Sequence, residues 1–348
     1  MIKVIVVGDP HFKTDNGEES SIFVERLEKL IIAENPDMCV ILGDVLHTHE
    51  RLHTTPYNDA CDFIRRVRDL TPTYVLVGNH DQINNQQYLN SNHWMNPLKE
   101  WENVTIVDTV VSKRIGDNMF YFVPFVPPGR FVEALDTNPG WQEADCIFAH
   151  QEFFGCSMGA ISSVDGDKWS ETNPYVVSGH IHSRQTLQPN LFYPGSAMQH
   201  AFGESEKNII PVFTFNEEGF TKREIDLKLP RKKTLYMDVQ EIDDFVVPST
   251  EDTYKVTLSG NYDQFKAFRK TKKFKSMTKA GLKVVFKPRK IKKTIQDSEK
   301  QEEEAPKSQG FQETLRDLVM KEKDPRLAQA YETVVNSKDL GVDDILFL

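Results

Sequence analysis

The chain has 348 residues, 39% of them hydrophobic and 27% charged, which excludes an intrinsically disordered protein and allows one large domain with one or two appendages. It has no run of about 18 apolar residues and no leader with a cleavage site, so we expect a cytoplasmic or nucleoid-associated protein that stays inside the cell. The formal net charge of −10 would by itself argue against a nucleic-acid partner.

Short apolar runs alternate with helical patterns over residues 1–226, which predicts a first domain of βα units with strands buried on both faces. Helices are predicted at Ser20–Ala33 and Tyr57–Leu70, where apolar residues recur at helical spacing. The predicted strands are Lys3–Val7, Met38–Leu42, Tyr74–Val77, Val104–Val107, Met119–Val123, Cys146–Ala149, Tyr175–Ser178, Leu191–Tyr193 and Pro211–Phe215.

A smaller α+β unit is predicted for residues 227–290. Thr234–Val239, Tyr254–Leu258 and Leu282–Phe286 have the pattern of strands, and Asp263–Phe274 that of a helix. A unit of this size is marginally stable alone, so we expect it to pack on the first domain.

The positive charge of the chain is concentrated in one segment. Between Lys266 and Lys293 there are 13 Lys and Arg residues and no Asp or Glu, with phenylalanines interleaved. A solvated helix face beside a basic linker would have this composition, but so many uncompensated charges favour a polyanion, because phosphate neutralisation releases counterions. The predicted DNA-binding residues are Lys270, Lys272, Lys273 and Lys275.

The C-terminal part is predicted to be a charged linker over residues 291–309 and a helical tail over residues 310–348. Two amphipathic stripes in the tail are separated by Asp324-Pro325, a typical helix start. Two such short helices need a surface to pack on. The sequence leaves open whether that surface is the first domain or another chain.

Polar groups able to bind metal follow five of the predicted strands. They are Asp9 and His11 in Gly8-Asp9-Pro10-His11, Asp44 in Gly43-Asp44, Asn79 in Gly78-Asn79-His80-Asp81, His150, and His180 and His182 in Gly179-His180-Ile181-His182. Because ligand sites lie at the carboxyl ends of strands in α/β sheets, we expect these groups to converge.

Seven such groups are more than one ion needs, and they suit two ions that share a bridging carboxylate. Imidazole and carboxylate without thiolate favour Mn²⁺ first, with Fe²⁺ and Zn²⁺ also compatible. The sequence therefore predicts a two-metal centre that activates water against a phosphoester.

The order of these motifs resembles the calcineurin-like metallophosphoesterase superfamily over about residues 1–226. Gly43-Asp44-Val45-Leu46-His47, Tyr121–Phe125, and Tyr193–Ala197 followed by Phe202-Gly203-Glu204 are similar to the SbcD group of DNA-repair nuclease subunits, especially those of tailed phages and DNA viruses. The resemblance implies a β-sandwich flanked by helices, a small α+β capping domain and a C-terminal helical tail.

The resemblance also implies a role for each site residue. Asp9, His11 and His182 would hold one metal, Asn79, His150 and His180 the other, with Asp44 bridging. His80 would act on the leaving group, Asp81 would orient His80, and His47 would lie near the scissile phosphate. The remaining histidines, which match no motif, are interpreted as ordinary surface or loop residues: His49, His53, His93 and His200.

The function implied is a Mn²⁺-dependent DNA exonuclease and endonuclease, a homodimer that works with an SMC-like ATPase bound to the helical tail in double-strand-break repair and recombination. If the source is viral, the host cytoplasm is the expected location. A phosphatase or nucleotide phosphodiesterase of the same superfamily is the alternative, because the same centre serves both. A scaffold that only binds is a third hypothesis, disfavoured by retention of every ligand.

Overall fold

The computed structural model describes residues 1–159 and 161–288 and, beyond them, residues 316, 319–321, 324, 326, 327, 329 and 331. Contacts divide the chain into two compact units, Met1–Arg289 and Lys290–Leu348. The described residues of the second unit are helical except Asp324, and Val319 and Tyr331 are buried. The predicted linker and most of the predicted tail lie outside the described residues, so the docking of the tail stays a prediction.

The strands of the described residues have the following bounds in chain order: β1 Ile2–Val7, β2 Met38–Ile41, β3 Thr73–Leu76, β4 Val104–Val107, β5 Val111–Ile115, β6 Asn118–Val123, β7 Cys146–His150, β8 Ser157–Met158, β9 Ile161–Ser162, β10 Val176–Gly179, β11 Gln185–Gln188, β12 Leu191–Tyr193, β13 Ile210–Asn216, β14 Gly219–Ile225, β15 Lys232–Asp238, β16 Thr253–Ser259 and β17 Lys283–Phe286. The α-helices are α1 Gly17–Glu34, α2 Thr54–Arg68, α3 Phe131–Leu135, α4 Tyr262–Phe268 and α5 Lys272–Lys279. In the described part of the chain, no helix is both long and apolar enough to cross a membrane.

Two six-stranded sheets form the body of the protein, in the orders β14-β13-β1-β2-β3-β4 and β11-β12-β10-β7-β6-β5. The strands β1 to β4 are parallel to one another, as are β6, β7, β10 and β12. Their inner faces share one apolar core, in which Tyr74 of the first sheet stacks on Phe122 of the second with ring centroids 4.1 Å apart. Because α1 and α2 cover the outer face of the first sheet, the predicted β-sandwich flanked by helices is confirmed.

All nine strands predicted for the first domain are present, with ends that differ by at most two residues. Three longer strands were missed by the apolar pattern, namely β5, β11 and β14. Each lies at the edge of its sheet and carries mainly polar residues, such as Lys222, Arg223 and Glu224 in β14. Edge strands face water, so they lack the apolar run that identified the central strands.

A separate three-stranded parallel sheet, in the order β15-β16-β17, follows the sandwich and has its own apolar core with α4 and α5. The single helix predicted at Asp263–Phe274 is wrong, because two helices occupy this region. The Thr271 side chain accepts a hydrogen bond from the backbone N–H of Phe274 and so caps the start of α5. The boundaries 227–290 of the predicted domain stay a prediction.

Candidate metal centre

Five loops bring the predicted ligands to one edge of the sandwich. The loops after β1, β2 and β3 carry Asp9, Asp44 and Asn79, while His150 ends β7 and His180 follows β10. The first three strands belong to one sheet and the last two to the other. The site therefore lies where the carboxyl ends of the central strands of both sheets meet.

His11, Asp44 and His182 lie together on one side of this site. The Nε2 atoms of His11 and His182 are 3.0 Å apart, and His11 Nε2 is 3.6 Å from Asp44 Oδ2. Two imidazole nitrogens at this separation can direct their lone pairs to one point. This side of the site has the donors expected for a divalent cation.

Asn79, His150 and His180 lie together on the other side. The side-chain oxygen of Asn79 is 3.0 Å from His150 Nε2 and 2.9 Å from His180 Nδ1. His150 Nε2 is also 3.5 Å from Asp44 Oδ2. Asp44 thus touches both groups, which is the position required of a bridging carboxylate.

The Asp9 carboxylate contacts the second of these groups. Its Oδ1 accepts the backbone N–H of His180 at 3.0 Å and is 3.5 Å from His150 Nδ1. The other oxygen, Oδ2, is buried without a hydrogen-bond partner among the described residues. A buried carboxylate oxygen with no partner is costly, and a cation beside it would remove the cost. The seven predicted residues therefore fit two divalent ions.

Three of the four predicted histidine ligands present their second ring nitrogen to an oxygen atom. His150 Nδ1 donates to the carbonyl oxygen of Leu42 at 2.7 Å. His182 Nδ1 lies 3.5 Å from Glu204 Oε1, and His180 Nε2 lies 3.8 Å from Glu152 Oε2. Such partners fix the tautomer and orientation of a metal-binding imidazole. No sequence motif marks Glu152, and Glu204 stands out in the sequence only as the end of Phe202-Gly203-Glu204.

Burial and neighbouring charges shift the pKa values of several buried groups in the site. Burial lowers the pKa of His11 well below its usual value, so the imidazole is neutral. Burial alone would raise the pKa of Asp44, but the charge and hydrogen bond of His150 hold it well below its usual range. Asp44 is therefore a carboxylate.

Several of these residues have a strained backbone. The φ angles of Asp9, His11, Asp44 and His180 are +28°, +44°, +49° and +77°. Positive φ is uncommon for residues other than glycine and costs of order 1–3 kcal/mol each. The surrounding structure imposes this strain, which is typical of functional sites.

His80 lies beside these groups and is held by one backbone and one ring hydrogen bond. Its backbone N–H donates to Asp44 Oδ1 at 2.8 Å, and its Nδ1 lies 2.7 Å from the carbonyl oxygen of His47. A carbonyl oxygen only accepts, so Nδ1 carries hydrogen and Nε2 is the nitrogen left to react. One ring nitrogen of each of His11, His47 and His80 lies within 4.8 Å of the others.

The prediction that Asp81 orients His80 stays a prediction, because the hydrogen bonds found for its carboxylate among the described residues go to other groups. The Asp81 carboxylate is buried and accepts the backbone N–H groups of Val45, Leu46 and Gly78 and the indole N–H of Trp94. Burial, and then the charge of Asp44, raise its pKa to about 6. Asp81 therefore ties the loop after β2 to the loop after β3, whereas the carbonyl of His47 holds His80.

The interpretation of the remaining histidines is correct only for His53, which is exposed. His200 is buried, and its Nε2 is 2.9 Å from the carbonyl oxygen of Asp9. The side chain of His93 is buried against Asp108, and the ring of His49 stacks on His80. No motif marks these residues, because their contacts come from loops far apart in the chain.

A cleft of about 780 Å³ adjoins the site and is lined by residues of both the sandwich and the three-stranded sheet. Its lysines are Lys13, Lys232, Lys255 and Lys283, and its acidic residues are Asp15, Glu18, Glu19 and Glu251. The ammonium groups of Lys13 and Lys232 are paired with Asp15 and Glu19, respectively. Among the described residues, Lys255 and Lys283 have no acidic partner.

The predicted DNA-binding lysines lie elsewhere on the small unit. Lys270, Lys272 and Lys275 are exposed on α5 and the turn before it, and Lys273 donates to the carbonyl oxygen of Asp243. Helices α4 and α5 pack on the face of the three-stranded sheet that carries Val256 and Leu258. Lys255 lies on the opposite face of this sheet, which lines the cleft. The four lysines are therefore separated from the cleft by the sheet.

Comparison with known proteins gives one consistent result. Residues 2–184 match the calcineurin-like phosphoesterase family. The chain is 49% identical over 278 residues to the putative phosphoesterase 244L of Invertebrate iridescent virus 6, an alignment that covers 78% of this chain and 98% of the viral protein. It is 47% identical over 292 residues to the putative phosphoesterase 078R of Invertebrate iridescent virus 3, covering 82% and 84%.

Among solved structures, the phosphoesterase Yfce from E. coli aligns with 65% of this chain and 94% of its own, at 14% identity and a TM-score of 0.34.

Proposed function

This chain belongs to the calcineurin-like phosphoesterase family, and from that premise we propose that it is a metal-dependent DNA nuclease of the SbcD type. It would hydrolyse phosphodiester bonds as an exonuclease and endonuclease in double-strand-break repair and recombination. The observation that carries the proposal is the convergence of seven metal-binding groups around Asp44, with His80 beside them.

In this proposal the chain holds two divalent ions and presents His80 to the substrate. The ions, when bound, activate water and neutralise phosphate oxygens. Asp9, His11 and His182 would bind one ion, Asn79, His150 and His180 the other, and Asp44 both. Their donor set of imidazole, carboxylate and amide favours Mn²⁺, with Fe²⁺ or Zn²⁺ as alternatives.

His80 would act at the oxygen that leaves phosphorus. Its Nδ1–H donates to the carbonyl oxygen of His47 at 2.7 Å. In the imidazolium form Nε2 also carries hydrogen and would give that proton to the departing alkoxide, leaving a neutral imidazole. An alkoxide is a poor leaving group, and a positioned acid at this oxygen typically contributes about 10²–10⁴ in rate. The ring of His47, exposed at the edge of the site, would face the scissile phosphate.

The cleft supports DNA as the substrate. Lys255 and Lys283 supply charge for a phosphate backbone, and Lys255 also lies over the ring of Phe202, 5.3 Å from its centroid. His200 lines the same cleft and contacts Asp9, so a strand in the cleft would reach the metal centre. The exposed lysines Lys270, Lys272 and Lys275 would bind backbone farther along a duplex.

The proposal includes partners for which the support is the sequence resemblance alone. The helical tail would bind an SMC-like ATPase, and two copies of the chain would form a homodimer. Since the chain is similar to proteins of two iridescent viruses, the host cytoplasm is the proposed location. Co-purification of full-length chain with the ATPase encoded beside it, and its loss when residues 310–348 are removed, would test the tail.

The deciding experiment is hydrolysis of labelled single-stranded and duplex DNA by the purified full chain in Mn²⁺, with His80→Ala as the inactive control. We expect DNA to be degraded and the variant to be at least 100-fold slower. Intact DNA together with rapid hydrolysis of a phosphoprotein or a cyclic nucleotide would overturn the nuclease proposal in favour of the phosphatase or nucleotide phosphodiesterase.

The role of the cleft is tested by salt dependence. Lys255→Gln with Lys283→Gln should weaken DNA binding and reduce the slope of log affinity against log salt by about 2. Lys113→Gln with Arg114→Gln is the matched control pair, two exposed basic residues on the edge strand β5. An equal loss from both pairs would mean that the cleft has no special part in binding.

A further inference from the structure

His49 lies against His80 although nothing in the motif pattern links them. The two ring centroids are 4.5 Å apart and the ring planes differ by 18°, which is a stacked arrangement. The ring of His47 is also nearly parallel to His80, at 5.7 Å and 8°. His80 therefore has a closely stacked neighbour in His49 and a looser one in His47.

The contacts of His49 distinguish it from an ordinary polar loop residue. Its side chain is half-buried, and its Nδ1 is buried without a hydrogen-bond partner in the described part of the chain. A polar group in a loop normally forms a hydrogen bond when water is excluded. The favourable contact that the structure gives this ring is the stack on His80.

The stack restricts the one motion of His80 that its hydrogen bonds leave free. The backbone N–H to Asp44 fixes the main chain, and the contact between Nδ1 and the carbonyl of His47 fixes one edge of the ring. The plane of the ring can still rotate about that edge. A flat neighbour at 4.5 Å limits this rotation and so limits where Nε2 points.

We propose that His49 is a positioning residue that holds the His80 ring, through stacking, in the plane that directs Nε2 to the leaving oxygen. The proposal rests on the proposed function, since it needs a phosphodiester whose leaving group requires a proton. An aromatic ring is what the position requires, and the ring nitrogens of His49 have no part in the chemistry.

The test compares two substrates in Mn²⁺. A short oligonucleotide loses an alkoxide, whereas bis(4-nitrophenyl) phosphate loses a nitrophenolate that departs without a proton. We expect His49→Ala to lower kcat on the oligonucleotide by about 10–100-fold with KM unchanged, and to change kcat on the nitrophenyl ester less than twofold. His49→Phe keeps a flat ring and should restore the oligonucleotide rate to within about threefold of wild type.

Two controls separate positioning from a structural role. His53→Ala alters an exposed histidine of the same loop and should behave as wild type. In the His80→Ala background, His49→Ala should cause no further loss, because the residue that it positions is gone. Equal losses on both substrates, a further loss in that background, or failure of His49→Phe to restore the rate would each overturn the inference.

Failure of the proposed function would be recognised separately. If wild type leaves the oligonucleotide intact, the nuclease proposal fails. The same variants are then compared on a 2′,3′-cyclic nucleotide, which also loses an alkoxide. A selective effect of His49→Ala on that substrate supports the positioning role, and no selective effect overturns it.

Discussion

Glu204 contacts the His182 ring on the side away from His11, with Oε1 3.5 Å from Nδ1 of the imidazole. Its other oxygen accepts the backbone N–H groups of His200 at 2.8 Å and Ala201 at 2.9 Å. Burial alone would raise the pKa of Glu204, but the hydrogen bonds from His182 and from these backbone groups lower it to about 2. Glu204 is therefore an ionised group that orients His182 from the loop between β12 and β13.

Glu204→Gln is expected to weaken Mn²⁺ binding by about 10–100-fold, because an imidazole without its carboxylate partner is less well oriented and less basic. Isothermal titration of the metal-free protein with Mn²⁺ measures this. Glu206→Gln, an exposed acid two residues along, is the matched control. Equal affinities of the two variants would mean that the carboxylate has no influence on the site.

Asp81→Asn is expected to lower the free energy of unfolding by about 2–3 kcal/mol, because the amide can accept fewer of the converging N–H groups and adds its own donor to them. Trp94→Phe removes one donor to Asp81 and should cost about 1 kcal/mol. Urea unfolding of the metal-free proteins gives both values. A loss from Trp94→Phe as large as that from Asp81→Asn would argue against the carboxylate as the centre of this network.

Gly78→Ala should abolish metal binding and destabilise the protein by about 3 kcal/mol or more. A Cβ at this position would overlap the backbone nitrogen and the carboxylate of Asp44, so the two loops would have to separate. Gly17→Ala is the control, because its Cβ has no atom within 4 Å. Normal Mn²⁺ titration of Gly78→Ala would contradict the close approach of these loops.

The buried pair of His93 and Asp108 predicts acid sensitivity away from the metal centre. Burial lowers the pKa of His93, so its native form is neutral and stability declines as pH falls below about 6.5, where the unfolded chain gains the proton. Burial alone would raise the pKa of Asp108, but Lys99 and His93 hold it below 3.8. The ionised Asp108 therefore stabilises the folded protein above pH 3.8, and this stabilisation is lost as the pH falls through the pKa of Asp108 in the folded protein.

Lys99→Met should raise the pKa of Asp108 and move this second loss of stability to higher pH. The measurement is the Tm of the metal-free protein between pH 8 and 3, relative to wild type. Lys99→Arg preserves the charge and should follow wild type. Parallel profiles for Lys99→Met and wild type would show that Lys99 does not stabilise the Asp108 carboxylate.

The central strands and the seven metal-binding groups could be predicted from sequence for one reason. A strand buried on both faces has to be a short apolar run, and a ligand at its end has to follow that run directly, as Asp44 follows β2. Edge strands have no such requirement. The break between α4 and α5 was missed because residues 263–274 contain no Gly or Pro to mark it, whereas the cap at Thr271 is a local hydrogen bond.

The central strands and the residue types at their ends could be predicted from the amino-acid pattern, because burial and strand termination act within a few neighbouring residues. The contacts that support the site are visible only in the folded chain: Glu204 against His182, the ring of His49 on His80, and Asp81 between two loops. These contacts join residues that are 22, 31 and 36 positions apart along the chain. No local pattern records them, since a side chain's partner depends on how the loops fold over one another.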